Sequence, residues 1–253
     1  MKLLRDSWLL FVRDMRSTLR NPIWALIGLF QPLCFLFLFA PLLESVSKLP
    51  DFPRGGVYTV FVPGVMVMLA IFGTLFSGFG LIYELRAGVI ERLRVTPVSR
   101  LALLLGKAAR DVCVLLVQAL LLVLIALPFG IKINLAGLGL TLVLIMLLGL
   151  CLSSYSYAVA LGLKDENALS SSLNTLTVPL LLLSGINLPL TLAPPLIRTI
   201  AAFNPFAYAV SAARALFIGD FGNAVVPQGF AIMGVLTLLM LVWARHAFSH
   251  AMA

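Results

Sequence analysis

The chain has 253 residues, of which 61% are hydrophobic and 11% charged, with a mean hydropathy of +1.08. Soluble domains hold roughly half apolar and a quarter charged residues, so a water-soluble fold would leave large apolar patches uncovered; a soluble domain, a disordered chain and a small disulfide scaffold are excluded, and an all-α integral membrane protein is expected. Eighteen Lys and Arg against ten Asp and Glu give a net charge of +8, which in a soluble chain would suggest nucleic acid but here is better explained by topology, so no nucleic-acid partner is expected. The three cysteines, Cys34, Cys113 and Cys151, are an odd number inside apolar runs and read as small buried hydrophobes.

Residues 1–21 come first. Lys2, Arg5, Asp6, Arg13, Asp14, Arg16 and Arg20 interrupt them, so the unbroken apolar core of a cleavable signal is missing. Leu4, Trp8, Phe11, Met15 and Leu19 share one helical face and Asp6, Arg13 and Arg20 another, which predicts an amphipathic helix lying flat at the cytoplasmic interface. Asn21–Pro22 ends it, because proline disfavours helical geometry at the residue before it. An ordinary basic flank that enforces topology fits the same residues.

A spanning helix needs about 20 mostly apolar residues. Six runs qualify: 23–43, 57–83, 112–129, 135–163, 169–186 and 225–244. An even number puts both termini on one side. Thirteen of the eighteen basic residues fall on that side, and only Lys48, Arg54, Lys132, Arg198 and Arg214 on the other, so both termini are expected in the cytoplasm. Trp24, Tyr83 and Trp243 then sit at the inner boundary and Tyr58 at the outer one.

Between the second and third runs, residues 84–100 form the largest charged island. Ile82, Leu85, Val89 and Leu93 recur at helical spacing while Glu84, Arg86, Glu91, Arg92 and Arg94 occupy the other faces, predicting a short amphipathic helix on the cytoplasmic side. Thr96–Pro97 stops it and, as cap and first position, starts the next helix. Orientation needs only Lys and Arg, so the mixture of both signs points to a surface that docks a protein partner.

The connection 187–223 is apolar yet broken by Pro189, Pro194, Pro195 and Pro205. Pieces 195–203 and 205–218 are too short to cross and read as re-entrant or interfacial helices on the outer side, with Asn204–Pro205 starting the second. Arg198 and Arg214 at this depth either line a polar cavity or snorkel to headgroups.

The chain carries no motor. Gly106–Lys107 is followed by Ala108, and Leu101 stands where a phosphate-binding loop would begin. His246 and His250 lie in the tail, so no catalytic residues and no metal cluster are assigned. Carboxylates are nearly absent from the runs, which argues against a proton- or sodium-driven carrier. Asn167, Ser170, Ser171, Asn174 and Thr177 recur on one face of the fifth run, either as helix-packing groups or as the wall of a pathway for an amphiphilic cargo.

The stretch Glu84-Leu-Arg86-Ala-Gly88-Val-Ile-Glu91-Arg92-Leu93, then Thr96-Pro97-Val98-Ser99-Arg100 and Leu105-Gly106-Lys107, resembles the cytoplasmic signature of the membrane subunit of type-two ABC exporters, the daunorubicin-resistance permeases being the nearest kind. The amphipathic start ending Leu19-Arg20-Asn21-Pro22 and the late Phe203-Asn204-Pro205 with Arg214 extend the resemblance over nearly the whole chain. It implies a single permease domain, 1–253, in a bacterial cytoplasmic membrane, paired with a second copy as a homodimer or with a related permease. Two copies of a separate ATPase would bind the ATP and magnesium, and this chain would hold no cofactor. Arg13, Arg16, Glu84, Arg86, Gly88, Glu91, Arg92, Arg94, Thr96 and Pro97 would form the ATPase contact, with the island as coupling helix. Spans one, two and five would flank a pathway touching Gln31, Phe35, Phe72, Phe76, Asn174 and Thr177, and Asn204, Pro205 and Arg214 would belong to the external re-entrant helices. The implied function is ATP-driven export of a drug, lipid or lipid-linked glycan. A non-transporting membrane scaffold that docks a cytoplasmic partner is the alternative, and an intramembrane enzyme lacks a nucleophile–base pair.

Overall fold

A computed structural model describes residues 2–42, 56–89, 92, 99–131, 133–186, 190 and 193–251, and every regular element among them is helical. Helix α1 is Lys2–Arg20 and α2 is Ile23–Cys34, which continues through a π-helical turn, Phe35–Phe39. Then follow α3 (Val57–Leu75), α4 (Gly78–Arg86), α5 (Arg100–Ala126), α6 (Leu135–Leu163), α7 (Glu166–Leu182), α8 (Pro195–Ala201), α9 (Pro205–Phe217) and α10 (Val225–Ala251).

Length and apolarity qualify four stretches to cross a membrane: Val57–Arg86, Arg100–Phe129, Leu135–Leu163 and Val225–His250. The α8–α9 pair, bent by 99°, would make a fifth if it were one broken span. Six spans were expected. The first run survives as a shorter apolar helix, Leu26–Leu42, carrying Pro32 and a π-turn, and the fifth is the 17-residue α7, diluted by its Asn and Ser residues and by Pro179. Prolines persist inside α2, α3 and α7 because neighbouring helices in a bundle can satisfy the backbone groups they free.

Helix α3 is the axis of the bundle. Almost all its side chains from Val57 to Leu75 are buried, and it packs against α2, α5, α6, α7 and α9. By contrast α10 lies on the rim against α6, α9 and α5, and Thr237 ties it to α6 by donating its hydroxyl to the Leu147 carbonyl at 3.0 Å. Hydroxyl bridges of this kind act as glue where lipid removes the hydrophobic drive for helix association.

Three expected boundaries change. The second run is two helices: Thr74 donates back to Ala70 O (2.7 Å) and Ser77 to Thr74 O (2.8 Å), and such back-bonding bends helices. The Gly78 amide thereby released is taken by Ser156 Oγ at 2.9 Å, a partner 78 residues away that local pattern does not reveal. Second, no single helix covers 84–94. Glu84 and Arg86 are the last turn of α4, and Gly88 closes it at φ +68°, the left-handed conformation that commonly ends helices and favours glycine. Helical geometry resumes at Val89 and Arg92, while Glu91, Arg94, Thr96 and Pro97 lie outside the described residues. Third, α5 starts at Arg100 with Ser99 as its cap, the hydroxyl accepting from the Ala102 amide at 3.1 Å, rather than at the Thr96–Pro97 pair. The two short pieces around Asn204 are helical, α8 and α9: Asn204 caps α9 by accepting from the Phe206 amide at 3.0 Å, and its amide donates to Leu180 O of α7 at 3.0 Å.

Candidate partner-docking end and pathway face

One end of the bundle gathers the charges. The α1 helix seats on the start of α5 because Gly106 has no side chain: a Cβ there would come within 2.8 Å of Leu10 Cβ and 3.0 Å of Ser7 O. The contact buries Leu10 and Asp14 and leaves Leu4, Trp8 and Leu19 exposed as an apolar stripe. That stripe is the expected amphipathic face, free to enter an interface. The inward polar side was not anticipated.

Lys107 is the centre of this end. Its ammonium group is buried, donates to Glu84 Oε1 at 2.6 Å and lies 3.6 Å from Asp14 Oδ2, so one cation joins α1, α4 and α5. Arg13 Nε donates to the other oxygen of Asp14 at 2.8 Å, and Glu84 Oε2 and Ser7 Oγ are buried with no hydrogen-bond partner among the described residues. The cluster therefore holds more acceptors than it satisfies, a costly arrangement at low dielectric that leaves Asp14 and Glu84 able to exchange partners. One turn further along α5, Arg110 pairs with Asp111 at 3.1 Å, and the Tyr157 hydroxyl of α6 donates to Asp111.

Arg86 bonds Glu166 at 3.0 Å and lies 3.7 Å from Asp165, linking α4 to the α6–α7 turn. Arg100 donates to the Ser249 carbonyl at 2.6 Å, bringing the end of α10 to the same region. Among the residues expected to meet a partner, Arg13, Arg16, Arg86 and Arg92 are exposed, whereas Glu84 is half-buried and turned inward onto Lys107.

The pathway residues divide by exposure. Gln31 and Asn174 are on the outside of the single chain, Asn174 donating to Ser170 Oγ at 3.2 Å. Thr177 is buried and donates its hydroxyl to Leu173 O at 2.7 Å, so it sits apart from the outward face of Asn167, Ser171 and Asn174. Phe72 and Phe76 are half-buried, Phe72 stacking on Phe76 at a centroid separation of 6.4 Å and Phe76 on Phe79 at 6.1 Å, and Phe35 stacks through Phe39 onto Phe61 at 5.9 and 6.1 Å. The buried Gln118 amide of α5 lies beside Gly28 of α2 and Gly73 of α3.

At the opposite end Arg214 neither snorkels nor lines an open cavity. It donates to Val60 O at 2.9 Å, Gly185 O at 2.8 Å and Ile186 O at 3.1 Å, tying α9 to α3 and to the turn after α7. Residues Asp14, Lys107, Arg110, Asp111 and Tyr157 were absent from the expected sites. The available signal was in α5, where Lys107 and Asp111 stand four apart on the face that also carries Leu103, Leu104 and Ala108, so two opposite charges share an apolar face.

Residues 5–218 match the family described as ABC-2 type transporter. Three relatives carry the name transport permease ycf38. That of Pyropia yezoensis is 27% identical over 218 residues, covering 85% of this chain and 75% of its own. Those of Cyanophora paradoxa and Porphyra purpurea are each 27% identical, covering 78% of this chain and 69% of theirs. The chain belongs to the ABC-2 type transporter family: it is a multi-pass membrane protein of the permease kind, a transmembrane subunit without catalytic machinery of its own.

Proposed function

We propose that the chain is the permease of an ATP-driven exporter that moves an amphiphilic substrate, a drug, lipid or lipid-linked glycan, across a bacterial cytoplasmic membrane. Two copies form the conducting unit and two separate ATPase subunits, which bind ATP and magnesium, dock on the charged end. The distribution of basic residues supports placing that end and both termini in the cytoplasm. Six crossings, with α2 and α7 as the first and fifth, complete the arrangement. Spans one, two and five flank the pathway, whose wall includes Gln31, Phe35, Phe72, Phe76 and Asn174, while Asn204, Pro205 and Arg214 shape its outer rim.

The observation that carries this reading is the single Lys107 contact shared by α1 and α4. A partner pushing on α1 or on the segment after Gly88 acts on the same cation, and α4 continues into α3, the axis of the bundle. The permease itself supplies only differential contacts between two conformations, which is all that a population shift requires. Exposed Arg92 lies just beyond α4 and is placed at the ATPase contact with Arg13, Arg16, Glu91 and Arg94.

The test is Arg92→Glu in vesicles containing permease and ATPase. Partner-stimulated ATP hydrolysis and ATP-dependent flux are expected to fall together, by about tenfold, with membrane insertion intact. Full coupling in this variant would refute the contact. A complex that binds the ATPase yet moves no amphiphile would favour the scaffold instead.

A further inference from the structure

The last two turns of α10 bring together two imidazoles that neither the charged joint nor the pathway face uses. His246 and His250 stand four residues apart on the exposed side of the helix, their Nε2 atoms 3.0 Å and their ring centroids 4.4 Å apart. We propose that this pair chelates a divalent transition-metal ion of the Cu²⁺ or Ni²⁺ kind. Neither the transport reading nor the docking of a partner enters the argument.

Geometry is the first observation. Residues four apart on a helix share one face, and here both rings turn the same nitrogen toward one point. The contact pairs a donor tautomer with an acceptor tautomer; shifting the donor's proton to Nδ1 frees both Nε2 lone pairs with no net change of charge. At metal–nitrogen bonds of about 2.0–2.1 Å, a 3.0 Å separation subtends about 95° at the metal. That is the angle between neighbouring ligands in square-planar and octahedral sites, which suit Cu²⁺ and Ni²⁺. A tetrahedral Zn²⁺, with angles of about 109°, would need the nitrogens about 3.4 Å apart.

The second observation is that the stretch carrying the pair is held in place. Phe248, between the two ligands in sequence, is buried and meets the Tyr157 ring edge-on at 6.4 Å, which fixes the rotation of these turns with both histidines outward. The Ser249 carbonyl accepts from Arg100 at 2.6 Å and its hydroxyl donates to the His246 carbonyl at 2.7 Å, so the intervening backbone is tied as well. His250 sits in the last turn, where the negative end of the helix dipole favours a cation. The Arg100 guanidinium weighs against a dication, which makes the site an exchangeable one. Among the described residues no third His, Cys, Asp or Glu joins the pair, so the chain supplies two ligands and water the rest. A metal clipping one turn to the next would stiffen the end of α10 at its clasp with α5.

The experiment titrates the purified full-length chain, free of any affinity tag and in neutral detergent, with Cu²⁺, Ni²⁺, Zn²⁺ and Mn²⁺ by calorimetry. One ion per chain is expected, Cu²⁺ held most tightly and Ni²⁺ next, with Zn²⁺ at least about tenfold weaker than Cu²⁺ and Mn²⁺ weakest. Paramagnetic resonance of the Cu²⁺ complex should show two nitrogen ligands. His246→Gln and His250→Gln should each weaken Ni²⁺ binding about 100-fold, because loss of even an outer-shell partner can cost that much. The double variant should fall no further than either single one, since two ligands of one chelate are not additive. Both side chains are exposed, so the variants should keep the metal-free Tm of the parent chain. Saturating Ni²⁺ should also slow amide exchange over residues 247–251, which an ion held elsewhere on the chain would not do. Lack of a one-to-one complex, unchanged binding in either single variant, a Cu²⁺ spectrum with fewer than two nitrogens, or Zn²⁺ held more tightly than Cu²⁺ would overturn the assignment.

Discussion

Two cations, the buried Lys107 and the half-buried Arg214, hold opposite ends of this bundle, and they are satisfied in different ways. Lys107 is met by side-chain carboxylates, Glu84 and Asp14, whereas Arg214 is met by backbone carbonyls of Val60, Gly185 and Ile186. Carboxylates on separate helices can move, exchange partners and be mutated. Carbonyls are part of the fold, so Arg214 fixes where α9 and the turn after α7 sit against α3. The lysine end is built like a joint and the arginine end like a rivet, which is the arrangement expected if partner-driven motion enters at the charged end.

The largest effect should come from removing the rivet. Arg214→Met leaves carbonyls of Val60, Gly185 and Ile186 short of donors and should cost about 3 kcal/mol or more, seen as a loss of folded, monodisperse protein in detergent and a lower Tm. Arg214→Lys should recover only part, since one ammonium cannot reach all three with fork geometry.

Lys107→Met comes next, at about 3 kcal/mol, because it strands Glu84 and leaves Asp14 with Arg13 alone in a poorly solvated site. Here the two ends should separate. Adding Asp14→Asn and Glu84→Gln to Lys107→Met removes the stranded charges and should return most of the Tm, while no second substitution can rescue Arg214→Met, whose partners are main-chain. If the triple variant is no more stable than Lys107→Met, the two cations are alike and the contrast fails.

The smallest effect is reserved for Arg86→Ala. The pair with Asp165 and Glu166 is about half exposed on both sides, so solvent screening should hold the loss to about 0.5 kcal/mol, and added salt should shrink it further. A Tm drop as large as that of Lys107→Met would mean that the α6–α7 turn belongs to the joint.

Much of this was legible in the sequence for identifiable reasons. The amphipathic first helix and the Asn204–Pro205 start of α9 follow from side chains acting within a few residues of themselves. The apolar runs follow from lipid thickness, although α2 and α7 show that a run can be apolar enough and still end short when proline and polar residues intervene. The joint was not legible. Asp14, Glu84 and Lys107 lie 70, 23 and 93 positions apart in their three pairings, and each alone reads as a solvated flank. Glu84 in particular looked like part of an outward docking surface and is instead turned onto Lys107. Nor does local pattern reveal that Ser156 would repair the break at Gly78, because that depends on which helix lies alongside.

The clasp between Arg100 and the Ser249 carbonyl has a practical side. It carries the last turns of α10 to the N-terminal part of α5, whose neighbouring turn at Gly106 is where α1 is seated. Head and tail of the described chain therefore converge on one patch. Complementary fragments of a split reporter, one attached at each extremity, would be delivered to the same compartment and within reach of each other, whichever way the bundle is threaded through its membrane.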